Sequence, residues 1–323
     1  MTLKKYKKNL DSAIEEIKKL PLHQLDSNTE LLKEAFEILY EHKIFALYRV
    51  ELSKHHSYKA LLFSTLTQYS GSLAFLAIQI LAGNTIMAKR DFKDKERFFK
   101  KRCGIAINHL RAPVTYVFGT KCEGGFLLNG RFTWASGYGI FDCLVIGFHH
   151  NEKEYEAVVK FRDTKHFKVG RVVETFVGKS MATVNVELEE FFVKEKHIIS
   201  SQPLGTYTQS RSVSKTIHFA FYGLGLGAIR SIEDEEVKRS LTNELEMIKE
   251  AFMKEKEANE MERLRVELFF LVQKIITTAM VLDGGKSILI EEKLQRYYRE
   301  LIMFNANGLN GTIKEYFKDF VLN

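Results

Sequence analysis

Proline and cysteine are scarce in this chain of 323 residues, which holds three of each and a single tryptophan. Cys103, Cys122 and Cys143 are odd in number and lack C-x-x-C spacing, which argues against a disulfide framework and a thiolate zinc site; they read as buried thiols. Long apolar runs are missing too. The longest, "SLAFLAIQILAG" from Ser72 to Gly83, falls short of the roughly 20 residues that cross a bilayer, so no membrane span is expected. The basic N-terminus "MTLKKYKKNLDS" is followed by neither an apolar core nor a small-residue cleavage site, so no secretory signal is read and a cytoplasmic location is the expectation.

An acidic excess is also lacking. Lys and Arg number 48 against 41 Asp and Glu, a net charge of +7. That balance raises nucleic acid as a partner, yet the cations are interleaved with Glu and Asp through helical segments and no nucleic-acid module is recognisable, so none is expected. Clusters such as "KKYKK" (Lys4 to Lys8) and "KRDFKDKERFFKKR" (Lys89 to Arg102) read as solvated helix faces. A basic surface equally attracts a phosphate-bearing small molecule or an acidic carrier protein.

What is present is a sizeable apolar fraction, 45%, with two changes of period along the chain. Up to about residue 103 apolar residues recur at three and four, as in "LLKEAFEILYEHKIFAL" (Leu31 to Leu47), the pattern of amphipathic helices. From about 104 to 200 the pattern alternates and turn signals recur. In "ATVNVELEEFFV", Ala182, Val184, Val186 and Leu188 form an inward face, with Thr183, Asn185, Glu187 and Glu189 outward. From about 210 the helical period returns; the stretch Glu233 to Leu282 is too long for one ordinary helix, and a break is placed in "KEKEANEM" (Lys254 to Met261). Its second half ends at Asp283-Gly284-Gly285, where glycine is expected to supply a left-handed cap. The fold class is therefore α+β: an N-terminal helical domain over 1–103, a central antiparallel β domain over 104–200, either an open sheet or a small barrel, and a C-terminal helical bundle over 201–323. Pro113 and Pro203 fall near these changes of period.

"IHFAFYGLGLGAIRS" fits G-x-G-x-x-A at Gly223, Gly225 and Ala228, but a dinucleotide site needs a second strand and an acidic residue about 20 residues on, where a long charged helical stretch runs instead. The glycines read as a small-residue face for close helix packing. A different question is posed by "FTWASGYGIFD" (Phe132 to Asp142), where the only Trp ends a strand-like run and small residues follow at once. The stripped backbone suggests a close approach by something, and an ordinary strand end with a buried Trp is the alternative.

The order helix, β, helix, with "EGGFLLNGRFTWASGYGIFDCLVIGF" opening the β block, resembles the acyl-CoA dehydrogenase superfamily of flavoproteins. Also similar are "FVGKSMATVNVELEEFFVKEKHII" (Phe176 to Ile199), "GLGLGAIR", "MVLDGGKSI" and "LQRYYRE" (Leu294 to Glu300). The resemblance implies FAD, with FMN as the other possibility, and flavin contacts at Trp134, Ala135, Ser136 and Gly137, the aromatic against the ring and the hydroxyl near its reactive nitrogen. It implies adenosine-side contacts at Gly284 and Gly285, a small-molecule or acyl thioester substrate, and a homo-oligomer, dimer or tetramer.

Departures from the family pattern bear on activity. The position matching its catalytic glutamate is Gly308, and a second location used by some members matches Thr216; neither side chain is a base, so the catalytic residue stays unassigned. Glu300 is the nearest carboxylate and reads as structural. In the altered segment "HLRAPVTYVFG" (His109 to Gly119), Arg111 is a candidate for meeting an anion and His109, with His218, for acid–base work, each against a merely structural role. The expected function is a flavin-dependent oxidoreductase on an acyl thioester or related substrate. Open alternatives are a reduced-flavin-dependent monooxygenase of the same fold and a non-catalytic relative that binds an acyl carrier or partner.

Overall fold

The computed structural model describes residues 1–90, 92–111, 117–210 and 214–322. Pro113, with the rest of 112–116, lies outside the described residues. Among the described residues five α-helices come first: α1 (Leu3–Ile17), α2 (Thr29–Glu41), α3 (His55–Leu66), α4 (Gly71–Lys89) and the short α5 (Lys95–Phe99). Their starts follow local chemistry. Asn28 Oδ1 accepts the Glu30 and Leu31 N–H groups, and Ser70 Oγ accepts that of Leu73, so donors with no partner inside the helix are capped. Helix α2 buries Leu32, Ala35, Phe36 and Leu39, the three-and-four stripe of its sequence. Helix α4 is, by length and composition, apolar enough to cross a membrane, but 67% of that stretch is buried inside the molecule.

Eight strands follow: β1 (Cys103–Ala106), β2 (Val117–Cys122), β3 (Gly125–Ala135), β4 (Cys143–His150), β5 (Lys153–Lys160), β6 (Phe167–Val172), β7 (Val184–Lys194) and β8 (Ile198–Pro203). They form one sheet in the order β6-β7-β3-β2-β4-β5-β8, with β1 beside β4. The neighbours pair antiparallel, except that β1 and β2 run parallel to β4. Strand β7 buries Val184, Val186 and Leu188 and exposes Asn185, Glu187 and Glu189, as alternation requires. Thr183 departs from that pattern and is buried, because the chain turns through the left-handed region at Ala182 (φ 43°) before the strand begins.

The remaining α-helices among the described residues are α6 (Thr206–Gln209), α7 (Thr216–Ile229), α8 (Glu235–Lys254), α9 (Ala258–Asp283), α10 (Lys293–Ala306) and α11 (Gly311–Leu322). The break between α8 and α9 falls inside "KEKEANEM". The glycine-rich segment is the interior of α7, buried on every side. A Cβ on Gly223 would lie 2.2 Å from Thr67 Oγ1 and 2.8 Å from the Ser64 carbonyl; on Gly227, 2.7 Å from the Tyr297 hydroxyl. These glycines let α3 and α10 lie against α7, and the dinucleotide reading is excluded because a helix occupies the place of its strand and loop. The cap of α9 differs from expectation. Gly284 has φ 74° but ψ −156°, so it is not left-handed helical; it occupies a region open essentially to glycine alone.

Gly223→Ala is expected to lower unfolding free energy by about 1–3 kcal/mol, because backbone oxygens as well as Thr67 must shift. Gly311→Ala, where an added Cβ meets nothing within 4 Å, serves as control. Urea denaturation of both variants checks the difference.

Candidate functional site

Strand β3 ends in an irregular turn. Its register against β7 shifts between Phe132 and Ala135, and inside that shift Trp134 adopts φ 61°, a left-handed conformation rare for a bulky residue. The alternative of a buried Trp at an ordinary strand end is thereby overturned, since Trp134 is 59% exposed. Ala135, directly after it, is fully buried in the core, so its side chain faces protein. Ser136 is buried and its hydroxyl lies 2.8 Å from that of Thr183. One hydroxyl of the pair donates to the other, which leaves the second hydrogen to be donated elsewhere.

The backbone approach inferred from "ASGYG" does occur, but its cause lies within the chain. Gly137 (φ 86°) donates its N–H to the Met181 carbonyl at 2.6 Å, and a Cβ there would lie 2.5 Å from the Phe141 ring. A Cβ on Gly104 would meet the same ring at 2.3 Å. The Phe141 ring packs against both glycines, and this accounts for the missing side chain at Gly137.

A cavity of about 290 Å³ lies where α3, α4, residues 105–111, α7, α9 and the turn between α10 and α11 converge. Thr216 and Gly308, the two positions at which the resemblance places a base, both line it. Helix α10 stops at Ala306 and Gly308 sits in the following turn at φ 64°, where an added Cβ would meet nothing within 4 Å. That turn is pinned to α9. Arg265 Nη2 donates to the Asn305 and Asn307 carbonyls at 2.8 and 2.7 Å, and Glu262 Oε1 accepts from Asn310 Nδ2 at 2.5 Å. Burial lowers the Arg265 pKa to about 10 against the opposing pull of Glu262, so the guanidinium still stays charged at neutral pH.

Glu262 is the one carboxylate among the described residues lining this cavity. Nothing in the family pattern pointed to it. The available signal was the stripe Met261, Arg265, Leu268, Val272, in which a charge occupies an apolar position with Glu262 three residues before it. His218 also lines the cavity. Its Nε2 meets the Met261 carbonyl at 2.9 Å and so carries the hydrogen, while Nδ1 is a buried lone pair without a partner among the described residues. Burial lowers its pKa to about 4, so it is neutral at pH 7.

Lys59, Ser214 and Thr216 are shared with an adjoining, more open hollow of about 470 Å³ whose wall, among the described residues, carries Lys89, Lys215, Lys254 and Lys256 against the single carboxylate of Glu255. Burial, then the neighbouring Lys89, lower the Lys59 pKa. The mouth of the cavity is thus strongly basic. Arg111 lines the inner cavity as well, whereas His109 does not: its Nε2 meets the Gly147 carbonyl at 2.8 Å and its ring stacks on Phe132, with the centroids 5.5 Å apart.

Gly284 and Gly285 are not brought to either place. Glu262 and Gly284 stand near opposite ends of α9, about 33 Å apart at roughly 1.5 Å per residue. An added Cβ on either glycine would meet nothing within 4 Å. Glu300 is structural: it is fully buried, accepts the Gly71 N–H at 2.7 Å and pairs with Arg296 at 3.3 Å.

The geometry is that of an α+β protein in which, among the described residues, one sheet is packed against helices, with an exposed aromatic strand end at Trp134 and, among the helices, a cavity lined by Glu262, Arg265 and His218. No protein-family model matches the sequence, and no curated protein matches it. Solved structures do. Butyryl-CoA dehydrogenase from Megasphaera elsdenii superposes with a TM-score of 0.72 at 13% identity over 100% of both chains. Glutaryl-CoA dehydrogenase in its glutaryl-CoA complex gives 0.74 at 13% over 100% of this chain and 96% of that one. KijD3 in complex with FMN and a dTDP-linked amino keto sugar gives 0.74 at 13% over 98% and 94%. The chain has the acyl-CoA dehydrogenase-like fold.

Burial raises the Glu300 carboxyl to about 7 from an ordinary 4.5, with Arg296 opposing the rise. The folded state therefore holds this proton more tightly than the unfolded chain, and the resulting stability, full below pH 4.5, is lost as pH rises through about 7. Urea denaturation between pH 5 and 8 is expected to show a fall on the order of 3 kcal/mol that Glu300→Gln flattens.

Proposed function

We propose that this protein is a flavin-dependent oxidoreductase whose small organic substrate, an acyl thioester or a related compound, carries an anionic handle. The observation that carries the reading is Trp134. A left-handed tryptophan costs about 1–3 kcal/mol, and an exposed indole forgoes the gain of burial, so both costs call for compensation. A flat ring lying on the indole offsets them, and the hydrogen left over by the Ser136–Thr183 pair meets a ring nitrogen or carbonyl. The residues present fit a flavin at that strand end. A bound flavin supplies hydride chemistry.

The remaining roles belong to the cavity. Glu262 takes a proton from the substrate carbon, Arg265 keeps the Asn307–Asn310 turn in place, and Lys59 with its lysine neighbours receives the anionic handle. His218 favours a second reading, a reduced-flavin-dependent monooxygenase, because a neutral imidazole with an unpartnered lone pair accepts a proton from a phenol or amine where a thioester substrate needs a carboxylate. Gly284 and Gly285 lie among exposed Val281, Leu282, Ile288, Leu289 and Ile290, and we propose that this apolar end pairs with a second copy of the chain and completes its nucleotide site. The assembly is then a dimer or tetramer, visible by light scattering.

Trp134 is the only tryptophan, so its emission reports directly on the strand end. Red-shifted emission in the free protein, quenched on titration with FAD or FMN, is the expected result, and Trp134→Ala should weaken flavin binding tenfold or more. No binding of either flavin, oxidised or reduced, would remove the proposal. With flavin loaded and acyl-CoA mixed in without oxygen, Glu262→Gln should slow bleaching by about 10² to 10⁴ while leaving substrate affinity near its original value. An unchanged rate in Glu262→Gln together with a loss in His218→Asn moves the assignment to the monooxygenase.

A further inference from the structure

On a different part of the sheet, a second cavity of about 250 Å³ is bounded by α5, β4, β5, the end of β7 and the turn at His197. It shares no lining residue with the cavity beside Glu262. Among the described residues five cations rim it, Arg97, Lys101, Lys160, Arg162 and Lys194, and no Asp or Glu lines it. Their charges converge. Burial pushes the Cys143 thiol up to about 11, with Lys101, Lys160 and Arg97 pulling against the rise and Asp142 adding to it; burial, then Lys196, Arg97 and Lys194, lower the His197 pKa, with Asp94 opposing. Like charges gathered this way repel one another and are relieved by an anion that enters among them.

Two further observations point to a ligand. His197 Nε2 is buried with no partner among the described residues, its ring edge-on to Phe98 at 5.8 Å. A buried polar atom left in that state calls for a partner from outside the chain. Phe192, also at this cavity, is 44% exposed and offers an aromatic face to solvent, over a floor that includes Phe98, Val158 and Val193. Several cations with an aromatic face match a compound with more than one phosphate charge and a planar body. The protonated Cys143 makes this a binding pocket and not a thiolate centre.

We propose that this cavity binds a nucleoside diphosphate or a like phosphorylated aromatic compound, with the phosphates held by Lys160, Arg162, Arg97 and Lys194 and the planar body on Phe192. The proposal does not rest on the flavin reading. The test is calorimetric titration of the full chain with ADP, with inorganic pyrophosphate as competitor, on wild type, Lys160→Glu, Arg162→Glu and Phe192→Ala. All three substituted residues are exposed, and circular dichroism confirms that the variants fold. The expected result is saturable binding to wild type that pyrophosphate displaces, that each charge reversal weakens tenfold or more and that Phe192→Ala weakens less. Lys160→Glu and Arg162→Glu should leave the quenching of Trp134 emission by FAD unchanged, and ADP should not displace FAD, which separates this site from a flavin site. Absence of ADP binding at millimolar concentration overturns the proposal. So does binding that survives both charge reversals, or binding of an acidic peptide in place of ADP, which would make the patch a protein-docking surface.

Discussion

Helix α7 can lie at the centre of the C-terminal half only because it carries glycine where its neighbours approach. Side chains at Gly223 and Gly227 would overlap the end of α3 and the Tyr297 ring of α10, and one at Gly225 would press on Leu245 of α8 and Val272 of α9. Dispersion falls off steeply with distance, so the close approach converts a glycine-rich, intrinsically poor helix into the most enclosed element of the bundle. The cavity depends on that arrangement. With α7 fixed, Thr216 and His218 at its start face Glu262 and Arg265 at the start of α9, and the turn after α10 closes the wall.

Buried charge plays a second organising part. Asp26 accepts from Ser72 Oγ at 3.1 Å and from the Gly178 N–H at 2.6 Å, and also pairs with Arg299. Through this one carboxylate the loop before α2, the start of α4, the segment leading into β7 and helix α10 are tied together. Glu300 and Arg296 repeat the device one turn away on α10, against the Gly71 N–H and the Tyr69 carbonyl. Removing one member of such a set leaves the others buried and unsatisfied, which is why these polar groups hold the layers in register. Ser136, directly after β3, and Thr183, directly before β7, join those two strand ends through their hydroxyls.

Much of the architecture was legible. The three-and-four stripe of α2, the alternation of β7 and the charged break before α9 each report one local period, and local period survives folding because one face of each element must be buried. The strand end was legible in part. A lone Trp followed by small residues marked the place, but the crowding that demands glycine at 137 comes from Phe141, four residues on, and also involves Gly104 on another strand. Thr183 read as outward by alternation; its burial follows from a backbone turn at Ala182 that no side-chain pattern announces.

The order of helices, sheet and helices, the small-residue character of α7 and the absence of a carboxylate at 216 and 308 were determined by the sequence alone, since each is a matter of which residue stands at which step of a regular period. Only the tertiary structure decided which other groups line the cavity at those two positions. Glu262 and His218 are 44 residues apart and look ordinary in their own helices. They share a cavity because α7 and α9 cross there, a juxtaposition set by glycine packing between helices. The five cations near His197 are likewise a matter of tertiary structure: β5, β7 and α5 are distant in the chain, and β5 and β7 are not neighbours in the sheet, yet all three line one cavity.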